Sequence, residues 1–172
     1  MNLIDTHAHL TWDIFKEDFQ DVINRAKKAG ITHVINIGAD IDSSKKAADL
    51  ESHKIKFYSS IGLHPHEVSK LVTDVSIHQN IGKLEQLYQS SPDKVVTIGE
   101  CGLDYYFEGN PDHIPSSVSQ NQQIELQKKL FQAQIALAKK LSLPLIIHCR
   151  DGWQDIFLPE LQGTTGVFHS FT

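Results

Sequence analysis

Cysteine is scarce in this chain: two in 172 residues exclude a disulfide-built scaffold and suit a reducing compartment. No apolar run approaches the roughly 18–20 residues of a membrane-spanning helix, so no membrane partner is expected. The opening run Met1-Asn2-Leu3-Ile4-Asp5 lacks the basic and apolar segments of a secretory signal, and a cytoplasmic location is expected. Low-complexity tracts and repeats of about 20–50 residues are missing as well. Positive charge is not in excess: 16 Lys and Arg against 21 Asp and Glu leave -5, which excludes a protein that coats nucleic acid by bulk charge. An enzyme that meets phosphate through bound cations is not excluded. Apolar content of 40% and charge of 22% exclude a disordered chain and fit one globular domain over residues 1–172. The unusual count is ten histidines, because most of them fall in a few short segments.

Short apolar runs alternate with helical patterns. Strands are predicted over Leu3–His7, Thr32–Ile37, Lys56–Ile61, Val95–Ile98, Pro144–His148 and Thr165–His169. Helices are predicted over Lys16–Ala29, closed by Gly30, over about Ser43–Glu51, around Ile77–Tyr88, and over about Gln154–Leu161. A long polar loop runs from Tyr105 to Ser119, where Ser119 and Gln122 resemble a capping box opening a further long helix. This alternation implies a parallel sheet with right-handed crossovers. An open doubly wound sheet and a (β/α)8 barrel both fit the periodicity. Candidate ligands stand at the C-terminal ends of strands one, three, four, five and six. A barrel gathers those ends at one mouth, whereas an open sheet spreads them along a line, so the placement favours an α/β TIM barrel with six of its eight units.

In Asp5-Thr6-His7-Ala8-His9, the i and i+2 imidazoles point the same way from an extended strand and can chelate one cation. The pair alone reads equally well as two polar residues leaving a strand. His148 and His169 end successive strands, and Glu100 follows strand four. Each alone is ordinary; together at one barrel mouth, the carboxylate can bridge two cations held by four histidines. His64 and His66, stiffened by Pro65, read either as substrate contacts or as a structural turn. Asp104 can orient a metal-binding imidazole from behind. Tyr105 and Tyr106 can stack on bases or simply cover the barrel end. Arg150 offers a planar donor fork to phosphate, or a structural ion pair. Cys101 and Cys149 read as small buried hydrophobes, and His33, His53, His78 and His113 as surface residues.

Five segments then carry a family resemblance: Asp5-Thr6-His7-Ala8-His9-Leu10, Gly62-Leu63-His64-Pro65-His66-Glu67, Gly99-Glu100-Cys101-Gly102-Leu103-Asp104-Tyr105-Tyr106, Leu143–Asp151 and Val167-Phe168-His169-Ser170-Phe171. With Gln127, Phe131 and Gln134 on the long helix, the set resembles the TatD family of metal-dependent deoxyribonucleases over essentially the whole chain. The resemblance implies a (β/α)8 barrel and two divalent cations (Mg2+, Mn2+ or Zn2+) on His7, His9, Glu100, His148 and His169, with Glu100 bridging and catalytic. It implies hydrolysis of DNA phosphodiesters, often from a 3′ end, with His64, His66 and Arg150 near the substrate phosphate. It implies a monomer for full-length members. Two departures stand out. Phe107 occupies a position where the family often has a basic residue, which weakens phosphate contact from that loop. Family members also continue through two more strand–helix units, which supply a metal-binding Asp that serves as the general base. The chain is therefore expected to be a fragment or truncated product, with open edges able to associate. Two other functions compete: an amidohydrolase acting on C–N or phosphotriester bonds, which Glu100 in place of a carboxylated Lys disfavours, and an inactive metal-binding remnant.

Overall fold

The computed structural model describes residues 2–107 and 118–170. Six strands form a single parallel sheet: β1 (Leu3–Ala8), β2 (Ile31–Asn36), β3 (Lys56–Ile61), β4 (Val95–Asp104), β5 (Leu145–Arg150) and β6 (Gly166–Phe168). Their spatial order is strictly sequential. A doubly wound sheet reverses its order at a switch point; this one never does, so every crossover returns on the same face and the sheet curls as part of a TIM-type barrel. The helices are α1 (Phe19–Lys28), α2 (Ile41–Asp49), α3 (Asp74–Ser90) and α4 (Gln120–Leu141).

Helix starts are written in local chemistry. Asp40 and Ser43 form a capping box at α2, Thr73 and Ser76 at α3, and Ser119 and Gln122 at α4, the last as predicted. Helix α1 ends before Gly30, which adopts φ 95° as its predicted role requires. The main core lies between the sheet and α2–α4: Leu130, Phe131, Ile135 and Ala138 of α4 pack on Ile98, Cys101, Leu103, Leu145 and Ile147. A smaller cluster seals Ile23 of α1 against Val34, Ile55 and Phe57. Cys101 is fully buried in the main core, and Cys101 and Cys149 are both free thiols.

Three predicted elements are corrected. Strand four does not stop at Ile98; it runs to Asp104, because the glycines that read as a strand end are sites of close interstrand approach instead. The helix predicted over Gln154–Leu161 reduces to a 3-10 turn at Pro159–Leu161, since Pro159 holds Leu158 extended and supplies no N–H. Helix α1 begins at Phe19 rather than Lys16, after a separate 3-10 turn at Asp13–Phe15. His113 and most of the loop predicted over residues 105–119 lie outside the described residues, as does Phe171.

The sheet has two unpaired edges among the described residues, β1 and β6. A cavity of about 340 Å³ is lined jointly by Thr6, Ile35, Thr97, Ile146 and Val167, from five of the six strands. Such distant strands line one space only if the sheet is curled. The exposed interior side chains Ile4 (61%) and Val167 (54%) match the expectation of an open barrel. No helix among the described residues is long and apolar enough to cross a membrane.

Candidate metal centre

Two irregularities in the ladder aim the site residues. Between β4 and β5, Ile98 pairs with Leu145 and Cys101 with Ile147, so Gly99 and Glu100 together oppose the single residue Ile146. This extra residue is a bulge, a device that redirects a side chain. It requires glycine at position 99, where φ is 147° and an added Cβ would lie 2.5 Å from the Ile146 carbonyl oxygen. A similar shift in β1 opposite Val34 and Asn36 precedes His9.

The redirected Glu100 is buried, 5% exposed, and its two oxygens face different partners. Oε2 lies 3.6 Å from His7 Nε2 and 3.9 Å from His9 Nε2. Oε1 lies 2.6 Å from His169 Nε2 and 2.9 Å from His148 Nδ1. His64 Nε2 also approaches Oε1, at 3.8 Å. The sequence-predicted ligands are thus brought together, and His64 stands among them beside Glu100 and His148.

Donor chemistry tests whether a cation fits. His7 Nε2 and His9 Nε2 face one another at 3.2 Å, and His148 Nδ1 and His169 Nε2 at 3.1 Å. Facing imidazole nitrogens repel when both present lone pairs, and a shared proton or a cation resolves this. His7 Nδ1 is buried with no hydrogen-bond partner among the described residues. The set of imidazoles and one carboxylate suits a borderline-soft divalent ion.

Electrostatics follow from burial and these contacts. Burial pushes the Glu100 carboxyl up, but hydrogen bonds from His148, His169 and His7 outweigh it and hold it far below the usual carboxylate range. Asp104 is held low in the same way, against burial, by His148 and His66. Burial depresses His148, yet Asp104 and Glu100 prevail and raise it to about 9. For His64, burial and then the neighbouring His148 outweigh the pull of Glu100 and Asp104 and lower it to about 3, so its ring is neutral. Burial also lowers His9.

Asp104 sits behind the cluster, 2% exposed, with Oδ2 at 3.1 Å from His148 Nε2 and 3.0 Å from His66 Nε2. His66 thus points its Nε2 at Asp104, while its ring stands edge-on to that of His64 with centroids 4.6 Å apart. Arg150 lies at the rim with its guanidinium 3.9 Å over the Tyr106 ring.

Two residues that the sequence reading used only as marks of the family resemblance build the frame. Gln127 Oε1 accepts from Asp104 N–H at 2.8 Å and its Nε2 donates to Asp104 O at 2.9 Å. Gln134 makes the same pair with Leu63, at 2.8 and 2.9 Å. Both are essentially unexposed, seven residues apart on one face of α4. Each takes the place of a neighbouring strand for one residue, fixing the end of β4 and the segment that leads into His64. Their signal was available: glutamines on the apolar face of a helix need partners.

With this geometry in hand, similarity to known proteins is specific. A family model described as TatD related DNase matches residues 4–172. An uncharacterized metal-dependent hydrolase, YabD, of Bacillus subtilis is 33% identical over 99% of this chain and 61% of its own length. The 3′-5′ ssDNA/RNA exonuclease TatD of Yersinia pseudotuberculosis is 34% identical over 99% of the chain and 60% of its own length. The crystal structure of YJJV, a TatD homologue from Escherichia coli, superposes with a TM-score of 0.78 at 28% identity, covering 99% of this chain and 60% of that one. The chain thus spans about 60% of the length of the relatives it matches.

Proposed function

Because the chain belongs to the TatD-related DNase family, we propose that its 172-residue barrel domain takes part in divalent-metal-dependent hydrolysis of DNA phosphodiesters, releasing nucleotides from a single-stranded 3′ end. The observation that carries this reading is the divergence of the Glu100 oxygens, one toward His7 and His9, the other toward His148 and His169. In this reading His7, His9 and Glu100 hold one cation (Mg2+, Mn2+ or Zn2+), and Glu100, His148 and His169 hold a second. Bound there, the cations supply electrostatic stabilisation of a phosphodiester transition state.

The remaining work falls to side chains of the chain itself. Asp104 accepts from His148 Nε2–H, so Nδ1, which faces Glu100 and His169, is the nitrogen that would give up its proton to hold a cation. His64 Nδ1 accepts from the backbone N–H of His66 at 3.3 Å, so its one proton sits on Nε2, facing the site. A neutral N–H there donates to a phosphate oxygen without competing for the cations. His66 braces Asp104 at the edge of the phosphate position, and Arg150 offers its fork to a neighbouring phosphate. The two free thiols support a cytoplasmic, reducing location, and a monomer is the working state of the family reading.

The test is nucleotide release from a 3′-labelled single-stranded DNA oligomer in Mg2+ or Mn2+, beside Glu100→Ala and a chelator control. Turnover that disappears in both controls supports the reading. A folded, metal-loaded chain without turnover on DNA rejects hydrolysis by this chain and leaves a metal-binding remnant; turnover on cyclic amides instead identifies an amidohydrolase.

A further inference from the structure

Trp12 stands three residues beyond His9 and is 57% exposed, a costly position for an indole that serves packing alone. Its ring stacks on the His9 imidazole with centroids 4.6 Å apart and planes 22° from parallel. His9 in turn reaches Glu100, at 3.9 Å, so the indole is one side chain from the candidate metal centre. The same indole lines an open cleft of about 440 Å³, walled by Phe15, Phe19 and Leu50 and bordered by Lys16 and Lys46. That volume is in the range of small-ligand sites, roughly 300–1,000 Å³.

Charge at the cleft is not neutralised evenly. Asp13 is engaged by Lys16 at 2.7 Å and Asp49 by Lys45, while Lys46 holds no ion pair among the described residues. An apolar, aromatic wall with a cation on its border matches a flat heteroaromatic ring carried on an anionic backbone. A bare phosphate has no use for the indole, and an apolar peptide has none for the lysine.

We propose that the Trp12 cleft is a subsite for a nucleobase of the single-stranded substrate, stacked on the indole with its backbone phosphate near Lys46. The proposal rests on the nuclease reading above and extends it with a second place where the strand is held. Because every base has a stacking face, the subsite retains the strand without selecting its sequence.

The experiment is fluorescence anisotropy of a labelled oligothymidylate with hydrolysis-resistant phosphorothioate linkages, in Mn2+. Trp12→Ala is expected to weaken binding about 10-fold or more, in line with the usual loss of a base-stacking aromatic. Trp12→Phe should retain most of the affinity, and Val75→Ala, a remote exposed apolar change in α3, all of it. An abasic strand of equal length should bind wild type and Trp12→Ala alike. Lys46→Gln should reduce the slope of log affinity against log salt by about 0.7, one phosphate on a single strand. Should Trp12→Ala fail to fold, Trp12→Leu supplies an apolar side chain without a ring. Equal binding by wild type and the ringless variant overturns the subsite. A loss equally large on the abasic strand also overturns it, since Trp12 then acts through His9. Those outcomes leave the nuclease reading intact wherever 3′ nucleotide release persists; a wild type that neither binds the strand nor releases nucleotides removes both.

Discussion

The imidazoles of His7 and His169 stack face to face, with centroids 4.3 Å apart and planes 13° from parallel. His7 lies in the first strand and His169 directly follows the last, and those two edges share no ladder among the described residues. Side chains at the mouth therefore join what the backbone leaves open.

Metal stoichiometry tests the bridging role of Glu100. Replacing His148 with Ala should weaken binding at one cation site by at least about 10–100-fold, the cost already seen when mere orienting partners of ligands are lost. Glu100→Ala should weaken both sites. Calorimetric titration that finds unchanged affinity and stoichiometry in His148→Ala would defeat the ligand assignment.

Stability of the metal-free chain should depend on pH with a definite sign. His148 is raised from 6.5 to about 9 in the folded state by its contacts to Asp104 and Glu100, against burial. Its contribution is thus fully present below pH 6.5 and is lost as pH rises through about 9, with an upper limit of about 3 kcal/mol. Glu100 and Asp104, held low, contribute stability that disappears in acid instead. Because a cation requires the neutral imidazole, metal affinity should rise over the same alkaline window. Urea unfolding at several pH values with chelator present is the check, and a flat profile from pH 6.5 to 9 sinks the claim.

The glutamine frame is testable by truncating its hydrogen bonds. Gln127→Leu or Gln134→Leu leaves a buried backbone N–H and C=O without partners, at a cost of about 1–3 kcal/mol per group. Gln127→Glu still accepts from Asp104 N–H but no longer donates to Asp104 O, and should be intermediate at most. Midpoints of urea unfolding within experimental error of wild type would show that the frame is dispensable.

Two glycine-to-alanine changes should move stability in opposite directions. At Gly102, where φ is 137°, an added Cβ would lie 2.0 Å from the His148 carbonyl oxygen, so Ala must push β4 from β5. A loss above about 2 kcal/mol, or failure to fold, is expected. At Gly82, inside α3, the added Cβ meets nothing within 4 Å, and Ala should stabilise by about 0.5–1 kcal/mol. Thermal unfolding of both variants decides it; a Gly102→Ala protein as stable as wild type contradicts the close approach.

The histidines were legible because strand ends are legible: His7, His9, His148 and His169 each follow an apolar run, and the parallel topology brings those ends together. Glu100 was found for a reason that proved incomplete. It reads as the residue after a strand, yet it lies within β4, turned inward by a bulge that leaves no trace in hydrophobic periodicity. Gly99 and Gly102 punctuate the sequence as turns would, although here they allow strands to touch. The contact of His66 with Asp104 was not legible, because the two stand far apart in the sequence. Trp12 escaped notice because one aromatic after a His-x-His pair has no period to declare it.

A staved cask holds its shape through its hoop, and the mouth of this sheet has a comparable fastening. His7 and His169 stand 162 positions apart in the chain and meet around one carboxylate. An ion seated among them would tie nearly the full contour of the polypeptide into one closed circuit. Unfolding would have to release it, so each tenfold rise in free ion above its dissociation constant would add about 1.4 kcal/mol to the native state. Such a centre would serve as a fastener for the architecture as well as an instrument of chemistry, and the melting temperature of the chain would then report the ion content of its surroundings.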